Sequence, residues 1–210
     1  MIPKRLIRQT TILLMSLASP VVAAPPEVAP APRIKPDPVV ISPEVAAKLS
    51  QIAFQAARES DLETLDAFFA AGRPVNEPNA RGDTLLIVAA YNGQEKAVEL
   101  ILAQPKVEVD ARNKMGLTAL AAAAFKGHVG IAKKLITAKA DVNAANGNGQ
   151  TALMFAALTG KVEVVKYLLT SGADPRATDK NGNTPLGLAR GQGAEEVVKQ
   201  LERAIASPKK

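Results

Sequence analysis

The sequence predicts an all-α solenoid of about five stacked helix-turn-helix units joined by hairpin or loop connections. Three observations predict it. The tripeptides Gly82-Asp83-Thr84, Gly116-Leu117-Thr118, Gly149-Gln150-Thr151 and Gly182-Asn183-Thr184 recur at spacings of 34, 33 and 33 residues. The chain is 47% hydrophobic but only 3% aromatic, so its apolar content lies in small side chains that let helices approach closely. Cysteine is absent, so packing alone must hold the fold together.

The first element reads as an address. Met1 to Gln9 carries three cations and no acid, Thr10 to Val22 is mainly apolar, and Val21-Val22-Ala23-Ala24 offers the small residues of a cleavage site. A secretory signal peptide is expected at 1–23, cut after Ala23, because a cut after Ala24 would leave Pro25 directly behind the scissile bond. The apolar run of about 13 residues falls short of the roughly 20 that cross a bilayer, so no span is expected in the mature chain. Residues 24–42 follow as a Pro/Ala-rich linker. Seven prolines between Pro25 and Pro43 favour extended backbone and a semi-rigid spacer.

The repeat region is expected over 43–206, with units near 43–78, 79–112, 113–145, 146–178 and 179–206, and a tail at 207–210. Ser42-Pro43-Glu44 is a good helix start, and the helix to about Arg58 should cover one end of the stack. In each later unit a Thr precedes an apolar run, where its hydroxyl can cap the first helix, and Pro185 sits where proline is tolerated. Alanines then keep that helix slim: Ala89, Ala123, Ala156 and Ala189, with a second alanine in the first three of these units. A glycine follows at Gly93, Gly127, Gly160 and Gly193, and a second apolar helix comes next, such as Val164-Val165-Lys166-Tyr167-Leu168-Leu169. Gly72 and Gly172 are placed to end that helix in the left-handed conformation. Lys139 stands where Gly172 stands one unit later, and it should be strained there. One residue is inserted around Pro105 to Glu108, so the second hairpin should be bulged or longer. In the last unit Arg190 replaces the second alanine and Glu202 a leucine-type residue, and Gln200 with Glu202 makes the helix polar, as a terminal unit facing water requires.

This pattern resembles the ankyrin repeat. The segments "GNTPLGLA" and "GQTALMFAALTGKVEVVKYLLTSGADPRA" agree with the family pattern at nearly every structural position. Four clear units run from about Asn79 to Ala204, and a degenerate first unit matches at Ala56-Ala57, Leu65, Phe68-Phe69, Gly72 and Val75-Asn76. The histidine of the family's T-P-L-H tetrapeptide is replaced by Ile87, Ala121, Met154 and Gly187, so the hydrogen bonds it makes should be absent. His128 instead matches a histidine common at the start of the second helix.

Candidate chemistry is sparse. Nucleophilic hydrolysis needs a nucleophile beside a base, and an imidazole-bound metal needs several ligands, but the chain has no cysteine and one histidine. Asp110, Asp141 and Asp174 lie in the loops of different units, where acids serve turns. Asn146-Gly147-Asn148-Gly149 is glycine-rich but lacks the lysine of a phosphate loop. No catalytic residue, metal or cofactor is therefore expected, and the chain is read as not an enzyme. The net charge of +6 falls to +3 without Lys4, Arg5 and Arg8 of the signal, and a single Ser207-Pro208-Lys209-Lys210 is a solvated tail, so nucleic acid is not the expected partner.

The resemblance implies that another protein binds along the concave side, at the hairpin tips and the exposed ends of the first helices. Carried over position by position, the tips contribute Arg81 and Asp83, then Lys114, Met115 and Leu117, then Asn148 and Gln150, then Lys180, Asn181 and Asn183. The helices contribute Arg58, Tyr91, Phe125 and Leu158. The last three should align about 10 Å apart as an apolar stripe, as contact surface or as the finish of the core. The expectation is a monomeric, non-catalytic protein-binding module in the periplasm of a Gram-negative bacterium, an adaptor or stabilising factor for another exported protein. A secreted effector that binds a host protein and a structural envelope spacer are the alternatives.

Overall fold

The computed structural model describes residues 42–207. The expected signal peptide, the linker up to Ile41 and the tail residues Pro208, Lys209 and Lys210 lie outside the described residues. Within them the chain forms ten α-helices in five successive pairs: α1 (Pro43–Glu59) with α2 (Leu62–Ala70), α3 (Leu85–Tyr91) with α4 (Glu95–Leu102), α5 (Ala119–Lys126) with α6 (Val129–Thr137), α7 (Ala152–Leu158) with α8 (Val162–Thr170), and α9 (Pro185–Gly191) with α10 (Glu195–Ala206). The connections between pairs are loops that each carry a hairpin tip, and one isolated antiparallel bridge, Ala145 to Thr151, lies in the third of them.

Each first helix packs on the first helix before and after it, each second helix does the same, and every substantial helix-helix contact is within a unit or between adjacent units. The composition follows from this layering. A first helix is enclosed on most sides, so Leu85 through Ala90 and Ala119 through Ala124 are buried without a break. A second helix buries one stripe only: Ala97, Val98 and Ile101 in α4, Ile131, Ala132 and Leu135 in α6, and Val164, Val165 and Leu168 in α8. Alanine at the closest approaches lets consecutive first helices nest.

The predicted caps form. The hydroxyls of Thr84, Thr118, Thr151 and Thr184 accept from the N–H groups of Ile87, Ala121, Met154 and Gly187 at 3.3, 3.2, 3.4 and 3.0 Å. Such a cap contributes about 1 kcal/mol. The capped residues are the four that replace the family's histidine, and three of them, Ile87, Ala121 and Met154, are buried and apolar. Ser42 caps α1 by accepting from Val45 N–H at 3.3 Å, and Pro43 occupies the first turn.

The second helices end as expected, with one difference of place. Gly72, Lys139 and Gly172 have φ of 72, 71 and 95°, and the residue after each donates back to Phe68, Leu135 and Leu168 carbonyls at 3.4, 3.0 and 3.0 Å. In the second unit the left-handed residue is Lys106, φ 63°. The second hairpin is neither bulged nor longer: Lys106 to Gly116 spans the same ten residues as Lys139 to Gly149 and Gly172 to Gly182. The extra residue is absorbed one turn earlier, at the end of α4. There Gln104 closes the helix by donating its N–H to Ile101 at 3.1 Å and its amide to the Leu100 carbonyl at 3.1 Å, and Pro105 has no N–H to continue the pattern.

The turns between helices also interlock. Gly93 has φ 76°, and a Cβ there would lie 2.8 Å from the His128 ring, so His128 rests on the glycine turn of the preceding unit. In the same register Gln94 donates to the Arg58 carbonyl at 2.6 Å. The stack ends as a terminal unit should: α10 is longer than the other second helices and Arg190 pairs with Glu202 at 2.7 Å.

Candidate partner-binding surface

The hairpin tips owe their shape to one side-chain oxygen each. Asn79 Oδ1 accepts from the N–H groups of Arg81 and Asp83, Asn113 Oδ1 from Met115 and Leu117, Asn146 Oδ1 from Asn148 and Gln150, and Asp179 Oδ1 from Asn181 and Asn183, all at 2.8 to 3.1 Å. This folds every tip the same way. The tips then join: Lys114 N–H donates to the Arg81 carbonyl at 3.1 Å and Lys180 N–H to the Asn148 carbonyl at 2.9 Å. The Asn183 side chain, with the Asn181 and Asn183 N–H groups, holds the Asp179 carboxyl below the ordinary carboxylate range.

Against this edge the sequence-predicted residues fall into three groups. Arg58, Arg81, Asp83, Tyr91, Met115 and Leu117 come together around a depression of about 230 Å3 between the second and third units. Met115 is 67% exposed and Tyr91 44%. Arg81 projects with its side chain 74% exposed, whereas Asp83 is buried: its carboxylate accepts from Asn113 Nδ2 at 2.8 Å and Asn79 Nδ2 at 3.3 Å and lies 3.3 Å from Arg81 Nε. Asp83 thus forms the floor, not the rim. Lys114, Met115, Leu117, Asn148 and Gln150 line a more open groove that continues toward the fourth unit. Lys180, Asn181 and Asn183 are exposed at the last tip, outside both depressions.

The helix stripe is partly covered. Phe125 is 38% exposed and meets Phe155 edge to face at a centroid distance of 6.4 Å. Lys126 Nζ stands 5.0 Å over the Tyr91 ring, and Leu158 is half-buried. Sequence reasoning missed Val88, Asn113 and Phe155 in these walls. Val88 and Phe155 each lie three residues before a stripe position, one helical turn away on the same face, and that spacing could have found them.

The opposite face carries mixed charge. Lys134 bridges Glu99 at 2.7 Å and Glu95 at 3.6 Å between α6 and α4, and the bond to Glu99 raises its pKa. Among the described residues no helix is long and apolar enough to cross a membrane, and no group of three or more histidine or acidic side chains is placed to hold a metal ion.

Comparison with known proteins agrees with this architecture. The family model for ankyrin repeats in three copies matches residues 53–146 and again 130–206. Over 62 residues, 29% of this chain and 4% of the relative, the sequence is 44% identical to alpha-latrocrustotoxin-Lt1a of Latrodectus tredecimguttatus. It is 34% identical over 96 residues to ankyrin repeat and SOCS box protein 2 of Bos taurus, covering 43% of this chain and 15% of that one. The chain therefore spans a small part of each of these relatives. Ankyrin repeats are protein-protein interaction modules, typically non-catalytic. With matched models reaching from 53 to 206 and five stacked helix pairs that carry the repeat's caps and turns, the chain belongs to the ankyrin repeat family.

Proposed function

We propose that this chain is a monomeric, non-catalytic binding module exported to the periplasm of a Gram-negative bacterium, where it serves as adaptor or stabilising factor for another exported protein. The observation that carries the binding reading is the tip and first-helix face, where Tyr91, Met115 and Phe125 remain 44, 67 and 38% exposed beside two adjoining depressions. Large apolar side chains grouped in a groove are what interface hot spots are made of. Export is supported by the cationic, apolar and small-residue order of Met1 to Ala24.

Affinity capture of the tagged full-length chain from fractionated cells tests this reading. The natural chain should bring down one discrete periplasmic protein, and a variant with Tyr91→Ser, Phe125→Ser and Leu158→Ser should lose it while keeping its helical circular dichroism. A host protein in the eluate points to an effector, and cell-wall material alone to a spacer. Undiminished capture by the triple variant contradicts the assignment of this face, and loss of helicity places the stripe in the core.

A further inference from the structure

Charge on the concave side is sorted, not mixed. Across the tips and first helices of the three middle units, residues 79–93, 113–127 and 146–160, the cations are Arg81, Lys114 and Lys126 and the only acid is Asp83. Asp83 is turned inward, 8% exposed, and is satisfied by Asn113 and Asn79 and by Arg81 Nε at 3.3 Å, which leaves the outer N–H groups of the Arg81 guanidinium facing out. At the last tip the same arrangement recurs, with Asp179 6% exposed beneath an exposed Lys180. In the second helices of the same units, Glu95–Leu102 and Val162–Thr170 carry acids beside their lysines, Val129–Thr137 carries Lys133 and Lys134 alone, and Lys134 pairs across units with Glu99 and Glu95. Hence the groove presents a positive rim and apolar walls of Tyr91, Met115 and Val88 over the inward-turned Asp83, while the opposite face mixes both signs.

Resting on the reading of this face as a protein-binding surface, we infer that its partner offers an extended acidic segment with a large apolar side chain. The apolar anchor enters the depression walled by Tyr91, Met115 and Val88. Carboxylates on either side meet Arg81, Lys114 and Lys180. Three features support this occupant. The rim has no exposed carboxylate of its own in the middle units, so a partner's acids replace no internal ion pair at Lys114. Arg81 is a planar fork suited to carboxylate, and its side chain is 74% exposed. The spacing also fits: units about 10 Å apart match about three residues of extended chain, which rises about 3.3 Å per residue. A basic segment would instead place like charges against the rim, which disfavours encounter.

A phage-displayed library of random 12-residue peptides, panned on the full-length chain, tests the inference. Enriched peptides should be acidic with one or two bulky apolar residues, and enrichment should be lost on Met115→Ser. On a chain carrying Arg81→Glu and Lys114→Glu, synthetic versions should bind about tenfold more weakly, the effect of two rim charges. The circular dichroism melt of Met115→Ser should match the natural chain, because Met115 is exposed. The charge variant loses the Arg81 to Asp83 ion pair and should melt lower while keeping its helical spectrum at the binding temperature. A Lys114→Glu single variant, whose backbone alone enters the stack, should weaken binding with no change in the melt. Neutral or basic peptides that still depend on Met115 would overturn the charge assignment and leave the groove as a binding surface. No Met115-dependent enrichment would overturn the inference itself, while capture of a folded partner by the natural chain but not the triple serine variant would leave the binding reading standing.

Discussion

Lys139 holds a backbone conformation, φ 71°, that a side chain rarely adopts, at the place where Gly72 and Gly172 close their helices. A Cβ costs on the order of 1 kcal/mol there. Lys139→Gly should therefore raise the unfolding free energy by about that amount and the urea midpoint with it, and an unchanged or lower midpoint would contradict the strain. Lys106 holds the same conformation one unit earlier, but Pro105 and the extra residue hid the correspondence in the sequence. Asp179 gives a second prediction at this scale. Its folded pKa lies below the ordinary 3.8, chiefly through the Asn183 side chain, so its stabilisation is present above that value and fades as pH falls through the folded pKa. The other three tips use asparagine at this position, and Asn146 there donates its Nδ2 to Gln150 Oε1. Asp179→Asn should therefore keep the two backbone bonds to Asn181 and Asn183, reverse the one with the Asn183 side chain, and lose the charge that strengthens all three. The variant should be less stable than the natural chain at pH 7, and the gap in urea midpoint should close as pH drops below about 3.8; a gap that widens in acid contradicts this sign.

The loops between units form an element of their own, a ladder of one polar side chain per step. Asn76 donates to the Lys106 carbonyl at 2.7 Å and accepts from Glu108 N–H at 2.9 Å, and Asn143 does the same with Gly172 and Asp174 at 3.1 and 2.9 Å. Between them stands Asp110, which accepts from Asp141 N–H at 3.0 Å but as a carboxylate has no hydrogen to give. Asp110→Asn should add the missing bond to the Lys139 carbonyl and stabilise by up to about 1 kcal/mol; Asn143→Asp should lose one and destabilise by about 0.5–1.5 kcal/mol. Chemical denaturation of both variants checks the pair, and a stabilising Asn143→Asp would contradict the ladder. This element was not legible in advance, whereas the Thr caps and the glycine turns were. A threonine before an apolar run and a glycine after it act within their own turn, so local sequence carries them. The Asn79, Asn113 and Asn146 acceptors and the Asn76 to Asn143 ladder act through short polar residues in loops, where turn propensity alone already accounts for their presence. The same blindness put Asp83 among the outward residues, because its position in the tip is visible in sequence but its bond to Asn113, 30 residues on, is not.

Across the whole molecule, packing runs only from unit to unit, so the repeat period settled the architecture while the function depends on what the stack leaves outside. Repeat position points to fourteen partner contacts, and the two depressions gather nine of them: Arg58, Arg81, Asp83, Tyr91, Lys114, Met115, Leu117, Asn148 and Gln150. What sequence could not convey was which side chains the tips turn inward and how far Lys126 and Phe155 cover Tyr91 and Phe125. The proposed partner meets this face and not the second-helix face. Replacing Met115 or, in a separate chain, Lys96 of α4 with a photo-crosslinking amino acid in the producing cell tests it most directly, since both positions are exposed and lie on opposite faces. A discrete adduct from position 115 and none from position 96 is the predicted result; an adduct from position 96 with none from position 115 would contradict it.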